Sequence, residues 1–144
     1  MNDLNPHPNA HPDAGAYTNA RQIAAEMTKV AEQMPERVAA VTTHYTMLLE
    51  TKIKANASGR PGPRRRTGDY VRSWTSQVTK TPGDGATGIV GTNKPQARRL
   101  EYGFVGPDRL GRVYNQPPFP HVGPAVDTIG PQFVTAIANI GAGD

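Results

Sequence analysis

The sequence predicts an α+β domain, a small antiparallel sheet with helices on one side, and three observations carry that reading. Apolar residues recur every three to four positions through the first third of the chain. Two β-branched runs joined by a Pro-Gly turn signal come next. A second apolar helical pattern occupies the last twenty or so residues.

Residues 1–16 are polar and carry Pro6, Pro8 and Pro12, so they read as an extended Pro-rich arm. His7 and His11 would share a face only on a helix, and the prolines argue for solvated histidines instead of a metal pair. A single domain is expected over 17–144. From Thr18 to Ala55 the pattern is helical, with Ile23, Met27, Val30, Met34, Val38, Val41, Tyr45, Leu48 and Ile53 on the apolar stripe. Asn19 is the expected N-cap, with Gln22 three positions on. Pro35 makes this either one kinked helix or two helices meeting there. His44, within the run, reads as structural.

Residues 56–68, NASGRPGPRRRTG, form a basic loop with Arg60, Arg64, Arg65 and Arg66. Residues 69–80 read as a strand through Tyr70, Trp74 and Val78, although their four-residue spacing also fits a helical first turn. PGDG at 82–85 is a turn and ATGIVGT at 86–92 the returning strand. Residues 94–103 read as a short helix capped by Gly103. Residues 104–124 are a Pro/Gly-rich loop in which VYNQ pairs briefly at a sheet edge. Val126, Ile129, Phe133, Ile137 and Ile140 mark a C-terminal helix; Pro124 suits its start, and Pro131 bends or delays it.

Composition narrows the function classes. Leu, Ile, Val and Phe together make 25 of 144 residues, below the roughly 20% at which disorder becomes a concern. The net charge of only +4 lacks the other half of the disorder signature. A modest core completed by neighbouring subunits follows. There is no cysteine, which removes disulfides, thiolate metal sites and cysteine nucleophiles. Residues 1–17 show neither the basic nor the apolar region of a signal peptide, and no run approaches the roughly 20 apolar residues of a membrane span. Charge is segregated: net −3 over 1–50, +9 over 51–112 and −2 over 113–144. A basic middle between acidic ends suits DNA, and equally suits head-to-tail contact between copies.

Tests for catalysis return little. Asp69, Glu101 and Asp108 are candidate carboxylates, but arginines close by in sequence and their place near turns favour ion pairing or capping. Ser73 lacks a nucleophile elbow. GDGATG at 83–88 lacks the GK[ST] of a phosphate loop. His121 stands between Pro120 and Val122 with no partner motif. No catalytic residue, cofactor or metal is expected. A small basic nucleic-acid-binding module is the competing class, using Arg98 and Arg99 beside the loop arginines, without a helix-turn-helix, RRM or zinc pattern to support it.

Three segments in order, SGRPGPRRRTGDYVRSW at 58–74, ARRLEYGF at 97–104 and PPFPHVGPAVD at 117–127, carry a resemblance. The chain resembles the small tail-component family of long-tailed bacteriophages, the tail-completion and head–tail joining proteins, in its actinobacteriophage-like form. The matching positions are Thr67, Gly68, Tyr70 and Ser73. Then come Ala97, Leu100, Glu101, Tyr102 and Gly103, and finally Pro117, Pro118, Pro120, His121, Pro124 and Ala125. The resemblance implies a structural virion protein of the neck or head-proximal tail end, assembled in the host cytoplasm. It implies a homo-oligomeric ring, a hexamer by analogy, touching other neck proteins and the tail tube protein. The basic loop then faces another subunit or, non-specifically, packaged DNA. Gly68 and Gly103 are expected at backbone turns, Glu101 as an amide cap or an arginine partner, and the prolines as stiffeners of the last connection.

Overall fold

Residues 13–83 and 85–141 are described in the structure, a computed structural model. Helix α1 (Asp13–Asn56) has 44 residues, which at ~1.5 Å per residue makes a rod about 66 Å long. It starts earlier than the sequence predicts. Residues 13–16, assigned to the arm, are helical, and Asn19 is an interior position rather than the cap. The last proline of the arm is Pro12, and the amides of a first helical turn need no upstream partner, so nothing stops the helix at Asp13. Residues 1–12, with His7 and His11, lie outside the described residues. Of the two readings at Pro35 the structure has one helix, which continues past the proline.

The apolar stripe of α1 divides in two. Every side chain from 20 to 29 is exposed, Ile23 and Met27 among them. From Glu36 onward the helix meets the rest of the protein, and Thr42, Thr46 and Ile53 on it, with Ala57 just past its end, are buried. The core is Ile53, Trp74 and Ala125, with Leu49, Tyr70, Val90, Ala97 and Val122 packed around it.

Helix α2 (Asp69–Arg72) is a single turn where a strand was the leading expectation; the alternative helical first turn is what forms. Ser73 returns its amide to the Asp69 carbonyl, and the Arg72 guanidinium pairs with the Asp69 carboxylate at 2.7 Å, closing the turn. Strands β1 (Thr75–Thr81) and β2 (Gly85–Gly91) then form an antiparallel hairpin, from Thr75 opposite Gly91 to Thr81 opposite Gly85. It lies along α1, where Lys80 reaches Glu36 at 2.9 Å.

Helix α3 (Ala97–Tyr102) ends at Gly103, whose φ is +81°. A Cβ there would stand 2.8 Å from the Gln116 carbonyl oxygen and 3.0 Å from the Pro118 nitrogen, so glycine is demanded by both angle and space. The expected loop that follows holds a second hairpin, β3 (Phe104–Pro107) and β4 (Val113–Gln116), with Phe104 opposite Gln116 and Pro107 opposite Val113. Strand β4 is the VYNQ segment; its partner β3 had no period-two signal because Gly106 and Pro107 are poor strand formers. Asp108 closes the hairpin end, its Oδ1 accepting the amides of Leu110 and Arg112. The described residues therefore form two separate two-stranded sheets.

Helix α4 (Gly123–Gly141) contains Pro131 without ending there. Phe133 meets Tyr45 with ring centres 6.0 Å apart, while Ala125 joins the core around Ile53, so α4 runs antiparallel to α1. Ala125, Ile129 and Ile140 are its buried residues.

Candidate functional site

The three motif segments, far apart in sequence, converge on one buried polar cluster beneath the start of α4. His121 is fully buried at its centre. Its Nδ1 lies 2.9 Å from the Phe119 carbonyl and 3.1 Å from Glu101 Oε1, and its Nε2 lies 2.7 Å from the Tyr70 hydroxyl. Both neighbours of Nδ1 are acceptors, so in the neutral ring the hydrogen sits on Nδ1, and Nε2 accepts from Tyr70. The rings of Tyr70 and Trp74 stand edge-on to the imidazole at 5.6 and 5.9 Å. Asn56, the last residue of α1, donates from Nδ2 to the His121 carbonyl at 3.2 Å. Sequence reasoning left His121 without a partner. The partners are 20 and 51 residues away, and only the co-occurrence of the motifs pointed to them.

Glu101 sits beside the imidazole and caps α4. Oε1 accepts the amides of His121 and Val122, and Oε2 that of Gly123, each at 2.9 Å. These are donors that a helix start leaves unpaired, and a carboxylate also favours the positive end of the helix dipole. Burial pushes the Glu101 carboxyl upward, but the three amides, joined by His121, outweigh it and hold the group below the ordinary 4.5. For Tyr70, burial first and the Glu101 charge after it push the phenol from 10.0 to about 12.

The other motif positions support this cluster or border it. Thr67 Oγ1 accepts the Asp69 amide at 3.2 Å. Gly68 takes φ +88°, a left-handed angle, at the entry to α2. The Ser73 hydroxyl donates to the Tyr70 carbonyl and bonds Thr92 at 2.6 Å, tying α2 to the end of the first hairpin. The Leu100 carbonyl accepts the Phe119 amide at 2.7 Å, Ala97 packs on the core, and Ala125 is fully buried. Tyr102, Pro117, Pro118, Pro120 and Pro124 are exposed. Asp108, weighed earlier as a catalytic carboxylate beside Asp69 and Glu101, binds Arg112 Nε at 2.7 Å.

The basic loop is not uniform. Arg60 lies over the Phe119 ring, 3.9 Å from its centre, and donates to the Gly62 carbonyl at 2.9 Å. It is therefore committed to the fold. Arg64, Arg65 and Arg66 are exposed and border a cleft of about 680 Å³ that Lys94, missed at the sequence level, also lines.

A family model described as "Bacteriophage HK97-gp10, putative tail-component" matches residues 21–103, more than half of the chain. The chain belongs to this HK97-gp10-like family. Membership makes it a bacteriophage tail component and a virion protein. The matched stretch covers most of α1, the basic loop, the first hairpin and α3, and so includes Tyr70 and Glu101 of the buried cluster. No curated protein and no solved structure matches the chain. Among the described residues of this HK97-gp10-like chain, no helix is long and apolar enough to cross a membrane.

Proposed function

We propose that the chain is a structural, non-catalytic ring subunit at the head-proximal end of the tail, completing the tail tube or joining it to the neck. One observation carries this reading: two different apolar surfaces are exposed on the one chain. The first is the free half of α1, where Ile23 and Met27 are 59% and 67% exposed. The second is the β3–β4 hairpin, where Val105 and Val113 are 77% and 79% exposed and Leu110 at its end is equally open. An isolated two-stranded hairpin is marginally stable in water, and exposed apolar patches mark interaction sites. When two unlike patches of identical copies meet, the contact is heterologous, and it closes into a ring if the rotation allows. Membership of the tail-component family supports a place in the tail; a ring of six, built in the host cytoplasm and docked on neck and tube proteins, completes the proposal by analogy.

The competing reading, a small basic nucleic-acid-binding module, loses two of its cations to internal stacking. Arg60 covers Phe119, and Arg99 covers Phe104 at 3.9 Å. A cryo-EM map of the virion, with light scattering on the purified chain, tests the proposal. A closed ring of copies at the head-proximal end of the tail is expected. An isolated single copy in the virion would sink the ring.

A further inference from the structure

The surface around the loop at 60–68 is concave as well as basic. Its cleft has a rim of Arg64, Arg65, Arg66 and Lys94. Its apolar lining includes Pro63, Val71, Leu100 and Phe119, and Gln96 and Gln116 line it as well. Among the described residues none of the four rim cations makes an ion pair. Asp69, the one carboxylate lining the cleft, is already engaged by Arg72. Four like charges gathered on one rim repel one another, and a bound anion relieves that repulsion.

We propose that this cleft binds an extended acidic peptide segment of a neighbouring virion protein, one that carries an aliphatic side chain between its carboxylates. The inference rests on the tail-component reading above and adds the partner's chemistry. Carboxylates suit the planar fork of arginine, which donates two parallel hydrogen bonds to one group. An aliphatic side chain fills the floor between Leu100 and Phe119. The side-chain amide of Gln96 and the amide oxygen of Gln116, whose Nε2 already donates to the Arg99 carbonyl at 3.2 Å, supply a donor and acceptors for an extended backbone. Duplex DNA satisfies the rim alone. It presents phosphates on a broad convex surface, and its binding is a matter of counterion release that leaves an apolar floor uncovered.

Fluorescence anisotropy on the full chain, at roughly physiological salt where exposed attraction is screened, tests this. The probes are a labelled Glu-Glu-Leu-Glu-Glu-Leu peptide, the same peptide with Ser in place of Leu, and a labelled random-sequence duplex. The Leu peptide is expected to bind about tenfold or more tightly than the Ser peptide. The triple variant Arg64→Ser, Arg65→Ser, Arg66→Ser is expected to lose about tenfold or more of that binding. All three positions are exposed, and an unchanged circular dichroism spectrum establishes that the variant is folded. Equal binding of the two peptides, or none, overturns the proposal, because the arginines are then only a solvated charge run. Tighter binding of the duplex, lost in the triple variant, overturns it in favour of a DNA-facing surface. A chain that forms rings yet ignores the Leu peptide defeats the cleft proposal alone and leaves the ring standing.

Discussion

The phenolic oxygen of Tyr70 lies 2.7 Å from Nε2 of His121, and that bond joins two motif segments 51 residues apart. Its energetic weight follows from burial. The imidazole has no access to water, so a lost partner is not replaced by solvent. Tyr70→Phe keeps the ring packing and removes only the hydroxyl. It is expected to cost about 1–3 kcal/mol, the penalty for leaving a buried acceptor unpaired. Urea denaturation measures it. In a double-mutant cycle with His121→Leu, the Tyr70→Phe penalty should largely vanish, because no acceptor remains to be orphaned. Additive losses would mean that the two side chains do not act as a pair.

Glu101 is expected to matter more than its single charge suggests. Glu101→Ala leaves three amides at the start of α4 without their acceptor, and a lost cap or charged hydrogen bond costs on the order of 2 kcal/mol. Glu101→Gln should fall between, since one amide oxygen remains to accept and the new NH₂ opposes the donors facing it. Thermal unfolding of the three proteins checks the order wild type, Gln, Ala.

Stability should fall on both sides of neutrality, for opposite reasons. Burial opposes the ionised Glu101, but the three amides and His121 outweigh it, so the fold holds the carboxyl below 4.5. Its stabilisation is complete above the unfolded value and is lost as pH drops below about 4.5 toward the folded one. Tyr70 is held protonated to about 12 against 10.0 when unfolded. Its stabilisation is complete below pH 10.0 and is lost between 10.0 and about 12. Glu101→Gln should flatten the acid limb of a denaturation midpoint plotted against pH, and Tyr70→Phe the alkaline limb. A variant that changes the wrong limb would contradict these assignments.

The elements that could be read from the sequence are those whose side chains report their own burial. Helix α4 announced itself through Ile129, Phe133 and Ile140, and the first hairpin through its β-branched run and PGDG turn. Strand β3 could not be read, since it is held by backbone pairing to β4 and by Asp108 rather than by an alternating pattern. The start of α1 was misplaced because the sequence shows where prolines stop, not whether the polar residues after them coil. At the site, Gly103 and the capping reading of Glu101 were legible as turn chemistry. His121 was not, because a histidine between prolines carries no local sign that Tyr70 and Glu101 enclose it. Ile23 and Met27 fit the helical period as well as Ile53 does, yet only Ile53 is buried in the chain. Periodicity tells which face is apolar and is silent on whether the same chain covers it.

That last difference gives the final prediction. If the free half of α1 meets the β3–β4 hairpin of the next copy, two variants should each fold and fail to assemble. One is Ile23→Glu with Met27→Glu, and the other is Val105→Glu with Val113→Glu. All four side chains are more than half exposed, so substitution on the surface should change the unfolding midpoint of the subunit by no more than about 0.5 kcal/mol equivalent. Placing a charge in an interface without a partner is costly, so self-association should be lost in both. Mixing the two variants decides the geometry. The first keeps an intact hairpin and the second an intact helix, so one sound contact remains between them. A heterologous interface then yields a dimer of unlike variants that stops there, since both outer surfaces carry the charges. An isologous interface, in which each patch meets its own copy, would let each variant pair with itself through its intact patch. Light scattering on the separate and mixed variants distinguishes the two. Self-pairing of either variant alone would refute the helix-to-hairpin contact, whereas a dimer that appears only on mixing is the signature of a ring opened at every second joint.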